Sequence, residues 1–133
     1  MELEKLIDAA KQEQWIEVDE AIPKICDDPE YINWAYGEGT LDDDGNVRDL
    51  AVSILEQAQI APKVFDGMRE RLYNIMMGDD NEFVRYRCAF TFVNHGPGDY
   101  KDEVIEVLNE AARHQEQDIA DMAKAYLEGL DSS

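Results

Sequence analysis

The sequence predicts an all-α protein, built as a short right-handed α-solenoid of about four stacked antiparallel helix pairs. Apolar residues recur at a spacing of three and four along the whole chain, whereas apolar and polar residues never alternate over more than about five residues. A pattern of apolar positions also returns about every 36 residues, which is typical of repeats that contain one helix pair each. We therefore expect one repeat domain over residues 1–133.

Capping residues and helix breakers divide the chain into eight segments. Pro29 and Pro62 stand at first helical positions, where the missing N–H of proline has no partner to lose. Glycine-rich or aspartate-rich stretches at 37–40, 78–80 and 94–98 end helices. The predicted helices span about 2–12, 14–26, 29–38, 45–58, 62–77, 81–94, 100–114 and 116–130.

The two ends of the chain depart from the repeating pattern. The segment 29–44 is about one helical turn shorter than its counterpart 62–80, so the first repeat is irregular. A solenoid needs a capping element at its ends to shield the open core. We therefore expect residues 1–28 to form a less regular N-terminal capping unit and residues 131–133 to be a disordered tail.

The repeat rests on one apolar template that two segments share in full. The first segment carries Val47, Leu50, Ala51, Ile54, Leu55 and Ala58. The second carries, at the same spacing, Ile119, Met122, Ala123, Tyr126, Leu127 and Leu130. A third, weaker match begins at Val84 and keeps the core positions Cys88 and Phe92.

The turns at 42–51 and 78–88 resemble those of the HEAT-like helical repeat family, with an acidic pair, a short polar spacer and Val-Arg. The resemblance covers roughly residues 20–130 and implies an α-solenoid. It also implies a structural ladder in which Asp43 pairs with Arg48 and Asp80 pairs with Arg85. Independently of the family, an aspartate before a helix can accept hydrogen bonds from the free amides of its first turn. We interpret these four residues as structural and not as an active site.

The net charge of −19, from 31 acidic and 12 basic residues, limits the partners. Such a field repels phosphate backbones and anionic lipid and attracts basic surfaces, so we expect no direct nucleic-acid binding. Three explanations stay open: general solubility, a basic protein partner, and adaptation to high salt. Apolar stretches such as 88–93 are far shorter than the roughly 20 residues that span a bilayer, so we expect no membrane span and a cytoplasmic location.

No pattern of catalytic or cofactor-binding residues emerges. Cys26 and Cys88 lack the C-x-x-C spacing of zinc and redox sites and are interpreted as core thiols. Nucleophile motifs such as G-x-S-x-G are absent, and a phosphate loop would need a preceding strand that the sequence does not predict. We therefore predict that the protein is not an enzyme and holds no cofactor.

Two patterns come closest to a metal site. The run 42–45 is similar to a calcium loop, but Thr40 and Ala51 would then occupy the first ligand position and the bidentate glutamate position. His114 follows Glu110 by one helical turn, yet one glutamate and one histidine fall short of a metal-ligand set. Near a helix C-terminus a partly protonated imidazole is favourable in any case. We predict no metal.

Two surfaces are candidates for partner binding. Glu103, Glu106 and Glu110 form an acidic stripe on the helix 100–114, opposite its apolar face. Second helices of such hairpins usually line the concave face of a solenoid, and on that basis we expect an acidic groove there. The second candidate is an aromatic cluster, whose residue types are over-represented in binding hot spots: Tyr31, Trp34 and Tyr36. A solvated polar face and core packing are the simpler explanations.

The favoured function is therefore a non-catalytic protein-binding scaffold or adaptor, whose acidic concave face engages a basic partner. One alternative is an inhibitor or immunity-type protein that mimics a polyanion. Another is a repeat-based enzyme such as a bilin-lyase-like protein, and a third is a subunit or fragment of a larger assembly. The oligomeric state stays open.

Added salt should stabilise the fold, because a net charge of −19 repels itself and salt screens this repulsion over about 10 Å at 0.1 M. We expect the melting temperature, followed by far-ultraviolet circular dichroism, to rise between low and moderate sodium chloride. A melting temperature that did not change would show that the carboxylates are compensated within the folded protein.

Overall fold

A computed structural model describes residues 1–131, and it is all-helical in that range, with no strand. The eight predicted helices are confirmed, each boundary falling within two residues of its expected place. They are α1 (Leu3–Lys11), α2 (Trp15–Ile25), α3 (Pro29–Gly37), α4 (Gly45–Gln57), α5 (Pro62–Gly78), α6 (Glu82–His95), α7 (Lys101–Ala112) and α8 (Gln117–Asp131). Two short 3-10 helices that the sequence did not predict lie at Gly39–Leu41 and Gly98–Tyr100.

Side-chain acceptors determine where several helices begin. Asp28 accepts from the amide of Glu30 at 2.9 Å and starts α3. Asp44 accepts from the amide of Asn46 at 2.8 Å and starts α4. Each acceptor satisfies an amide that has no partner inside its own helix, and this explains why the helices start at these residues.

The chain divides into two compact units, and the boundary between them falls inside α5. In the first, residues 1–68, α4 is the central element and packs against α1, α2 and α3. Apolar side chains are therefore buried around most of its circumference, namely Val47, Leu50, Ala51, Val52, Ile54 and Leu55. Phe65 and Met68 of α5 add to the buried residues of this unit.

The close approach of α3 to α4 requires a glycine between them. A Cβ atom at Gly39 would lie 2.6 Å from the Cβ of Ala51 and 2.9 Å from the ring of Trp34. The hydroxyl of Thr40 donates to the carbonyl of Tyr36 at 2.9 Å and holds the short 3-10 helix against the end of α3. The glycine that interrupts the helical pattern is thus explained by packing.

In the second unit, from residue 69 onward, α7 packs against both α6 and α8, and α6 also packs against α8. The rings of Phe90 in α6 and Tyr126 in α8 stack at a centroid distance of 4.9 Å. Gly96 ends α6 with a φ of 103°, and Arg69 donates to its carbonyl from Nε and Nη2 at 3.2 and 3.1 Å. The contacts of Arg69 tie the middle of α5 to the end of α6.

Two predictions concern the ends of the chain, the capping unit and the tail. Residues 1–28 contain two regular helices, α1 and α2, which pack against each other. Of the predicted tail, Asp131 is the last residue of α8, and residues 132–133 lie outside the described residues. The single domain over 1–133 stays a prediction. No helix in residues 1–131 is long and apolar enough to cross a membrane.

Gly39→Ala should destabilise the protein by about 1–3 kcal/mol, because its methyl group would have to displace Ala51 and Trp34. Gly67→Ala is the matched control in the same unit, since nothing lies within 4 Å of its added Cβ. It should stabilise the helix by up to about 1 kcal/mol. Urea denaturation measures both changes. Equal effects of the two substitutions would contradict the close approach of α3 and α4.

Candidate functional site

The turn before α4 uses the aspartates on either side of Asp43. Oδ1 of Asp42 accepts from the amide of Asp44 at 2.8 Å, and Asp44 in turn caps α4. Nη1 of Arg48 donates to the carbonyls of Asp42 and Asp43 at 2.9 and 3.1 Å. Arg48 therefore does reach Asp43, but through the main chain, and the capping belongs to its two neighbours.

The turn before α6 has the same design, with Asn81 as the capping residue. Asp79 accepts from the amide of Asn81 at 2.8 Å, and Oδ1 of Asn81 accepts from the amides of Phe83 and Val84 at 2.9 and 3.4 Å. The helix start again depends on the residues that flank the predicted aspartate, which here is Asp80.

Arg85 connects three helices of the second unit. Its Nε donates to the carbonyl of Met76 at 3.0 Å, near the end of α5. Its Nη1 and Nη2 donate to the two carboxylate oxygens of Glu110 in α7, at 2.7 and 3.2 Å. The predicted pairing with Asp80 is not among these contacts. The structure instead joins Arg85 of the predicted ladder to Glu110 of the predicted acidic stripe.

Tyr86 completes this group, which we call the Glu110 cluster: Arg85, Tyr86 and Glu110. The Tyr86 hydroxyl donates to Oε2 of Glu110 at 2.9 Å. The hydrogen bond from Arg85, with a further one from Tyr86, holds the pKa of Glu110 below its ordinary value, although partial burial opposes this. Burial, followed by the hydrogen bond to Glu110, raises the pKa of Tyr86 to about 12. The cluster therefore contains a carboxylate that holds its charge and a phenol that keeps its proton.

His114 lies beside this cluster, in the turn between α7 and α8. Its Nε2 is 3.0 Å from Oε1 of Glu82, and its Nδ1 accepts from the amide of Glu116 at 3.0 Å. The ring contacts Phe83 and Tyr86 edge to face, at centroid distances of 5.5 and 5.8 Å. An acceptor at Nδ1 has no proton there, so the ring is neutral in this geometry and Nε2 donates to Glu82. His114 does lie near the end of α7, as expected. A partly protonated ring was expected there, but Nδ1 accepts a hydrogen bond from the Glu116 amide.

The chemistry of these groups is that of a structural cluster. A carboxylate held ionised by arginine is a weak general base, and a phenol whose pKa is about 12 is a weak acid near neutral pH. Glu110 and His114, considered above as a partial metal pair, have different partners, namely Arg85 and Glu82. Across residues 1–131, no three of the histidines, cysteines, aspartates and glutamates are placed to hold a metal ion.

The three glutamates of the predicted acidic stripe have unequal surroundings. Glu106 is exposed, whereas Glu103 is half-buried and one of its carboxylate oxygens is buried without a hydrogen-bond partner. Glu110 has a 45% exposed side chain but is paired with Arg85. Asp102 and Glu106, one helical turn apart, are exposed carboxylates of α7 that, unlike Glu110, are not paired with Arg85. The acidic groove was expected because second helices of hairpins usually line the concave face of a solenoid. In the pair α7–α8, however, α7 is the first helix, so this rule does not place the stripe on a concave face.

The predicted aromatic cluster lies in the first unit and makes internal contacts. Tyr31 is buried, and its hydroxyl donates to the carbonyl of Met1 at 2.7 Å. The Trp34 ring lies against Gly39. Tyr36 is half-buried, and its hydroxyl donates to the carbonyl of Gly67 at 3.3 Å. These contacts fit the core-packing explanation better than an exposed hot spot, and a binding role for the three residues stays a prediction.

Glu82 and Tyr86 were not predicted from the sequence. Glu82 and Tyr86 are one turn apart in α6 and share a helix face, whereas Glu110 is in α7 and His114 lies just after the end of that helix. The spacing of four residues, which both pairs share, was the available sequence signal for this group of side chains.

Comparisons with known proteins give no assignment, since no family model, no curated protein and no solved structure matches the chain.

Arg85→Ala should destabilise the protein more than Arg113→Ala. The first loses hydrogen bonds to a carboxylate and a carbonyl, at a cost of about 1–3 kcal/mol, whereas the second removes an exposed side chain at a cost under about 0.5 kcal/mol. Chemical denaturation at neutral pH measures the difference. Equal and small effects would show that Arg85 does not hold α5, α6 and α7 together.

Acid should reduce this difference. Because the pKa of Glu110 is lowered in the folded state, its contribution to stability is complete above the unfolded value of about 4.5. It is lost as the pH falls through the lower folded value. The two variants should therefore converge partly as the pH falls through the lowered folded pKa of Glu110, because protonation weakens its pairing with Arg85 and leaves the bond from Arg85 to Met76. A difference that did not change with pH would mean that Glu110 contributes nothing to it.

Proposed function

We propose that the protein is a non-catalytic protein-binding scaffold that engages a basic partner through acidic helix surfaces. The observation that supports this most directly is that several arginines make internal contacts whereas many carboxylates face solvent. Arg48, Arg69 and Arg85 donate to main-chain carbonyls of turns and helix ends, and Arg85 also pairs with Glu110. These three arginines are thus used in internal contacts, whereas many carboxylates face solvent.

The excess of acid differs between the two units. Residues 1–68 carry 17 acidic and 5 basic residues, a charge of −12, and residues 69–133 carry 14 acidic and 7 basic residues, a charge of −7. Exposed carboxylates without a hydrogen bond or ion pair to residues 1–131 include Glu17 and Glu20 of α2 and Asp102 and Glu106 of α7. Because such charges are not neutralised internally, they are available to attract and orient a basic surface.

A solenoid of HEAT-like repeats is the architecture that we propose for this scaffold. Two features support it. The turns before α4 and α6 share their pattern of side-chain caps, and within each unit the second helices of successive pairs, α2 with α4 and α6 with α8, pack against each other. Stacked helix pairs give extended surfaces for partners, which is how repeat proteins of this kind are used.

The test compares two variants with the same change of net charge. We expect Asp102→Asn with Glu106→Gln, on α7, to slow association with a basic partner and to flatten its dependence on salt. Glu17→Gln with Glu20→Gln, on α2, is the matched control. The partner is first captured from native lysate at low and moderate salt and identified, and association rates are then measured with the purified partner.

The outcomes separate the possibilities. A larger effect of the α7 variant supports binding at that helix, and equal effects support steering by the overall charge of the protein. Lys101→Gln with Arg113→Gln should leave association unchanged or faster, because it removes exposed positive charge from α7. If neither carboxylate variant alters the association rate or its salt dependence, the acidic-surface proposal is wrong.

A further inference from the structure

The turns that precede α4, α6 and α8 share one hydrogen bond. In each turn a side chain accepts from the amide two residues later, immediately before the helix. The donor and acceptor pairs are Asp44 with Asp42 at 2.8 Å, Asn81 with Asp79 at 2.8 Å, and Glu116 with His114 at 3.0 Å. The third turn therefore uses an imidazole at the place where the other two use a carboxylate.

This exchange changes how the turn responds to protons. A carboxylate remains an acceptor above about pH 5, whereas the charge of a histidine side chain changes between about pH 5 and 8. His114 can accept from Glu116 only while its Nδ1 has no proton, and the protonated ring has two donors and no acceptor. Protonation would therefore place two N–H groups against each other at the start of α8.

The groups around His114 leave it little freedom to rotate away. Its side chain is 11% exposed, and the rings of Phe83 and Tyr86 from α6 contact it. Glu82 of α6 faces Nε2, and Glu116 faces Nδ1 through its amide. Glu110 of α7 reaches the same group of rings through the Tyr86 hydroxyl. A protonated His114 ring would keep its contact with Glu82 and lose the hydrogen bond that Nδ1 accepts from the Glu116 amide.

We infer that the turn between α7 and α8 is a proton-sensitive device, in which neutral His114 secures the start of α8 and protonated His114 releases it. The device rests on local geometry and is independent of the proposed binding function. Because α8 packs against α6 and α7, release of its first turn loosens the last helix of the chain at mildly acidic pH while the aspartate-based turns before α4 and α6 stay closed.

Nuclear magnetic resonance of the full-length protein tests the inference directly. Long-range proton–nitrogen spectra of the neutral His114 ring should show its proton on Nε2. As His114 takes up a proton, hydrogen exchange of the Glu116 amide should become about fivefold to tenfold faster once the intrinsic pH dependence is removed, as expected for the loss of one hydrogen bond. The amides of Asp44 and Asn81 are internal controls and should not change.

Variants at the two histidines provide the second measurement. His114→Asp places a carboxylate at this position, as in the other two turns, and should abolish the response of Glu116 between pH 5 and 8. His114→Asn offers a neutral acceptor if the aspartate is not tolerated beside Glu82. His95→Gln removes the other histidine and should leave the response intact. A proton on Nδ1 at neutral pH, or a Glu116 response that persists in His114→Asp and His114→Asn, would overturn the inference.

Discussion

Free amides at the start of a helix must find acceptors, and the rest of this structure depends on how that requirement is met. The sequence supplies short polar side chains immediately before α3, α4 and α6, and these fix where the three helices begin. Once the starts are fixed, the apolar stripes point in defined directions and can pack on neighbouring helices. A residue of the wrong type in one of these turns would therefore disturb both a local bond and the packing of a whole helix.

The same requirement explains why the arginines matter more than their number suggests. Helix ends leave carbonyls without partners, and Arg69 and Arg85 donate to such carbonyls at Gly96 and Met76. The chain has 31 acidic and only 12 basic residues, so arginines that serve these internal contacts do little to offset the acidity. The distribution of charge thus bears on the stability of the fold and also on the proposed attraction of a basic partner.

The Glu110 cluster shows how residues with separate expected roles become one unit. Arg85 was assigned to a turn and Glu110 to a solvent-facing stripe, yet the packing of α6 on α7 brings their charged groups to 2.7 Å. Tyr86 and His114 then fill the space beside them and form edge-to-face contacts. Because Glu110 already has two partners, it contributes less than Glu106 to any field that a partner would meet.

The sequence by itself determined the helices, since local periodicity, proline at Pro29 and Pro62, and capping residues are properties of neighbouring residues. It also determined the acidity. Only the tertiary structure decided which charges are paired, because the partner of Arg85 lies on another helix, where residue types alone give no distances. The same holds for Gly39, whose role comes from the approach of Ala51 and Trp34. It holds again for His114, whose ring nitrogens have their partners because Glu82 of another helix lies beside Nε2 and the turn brings the Glu116 amide to Nδ1.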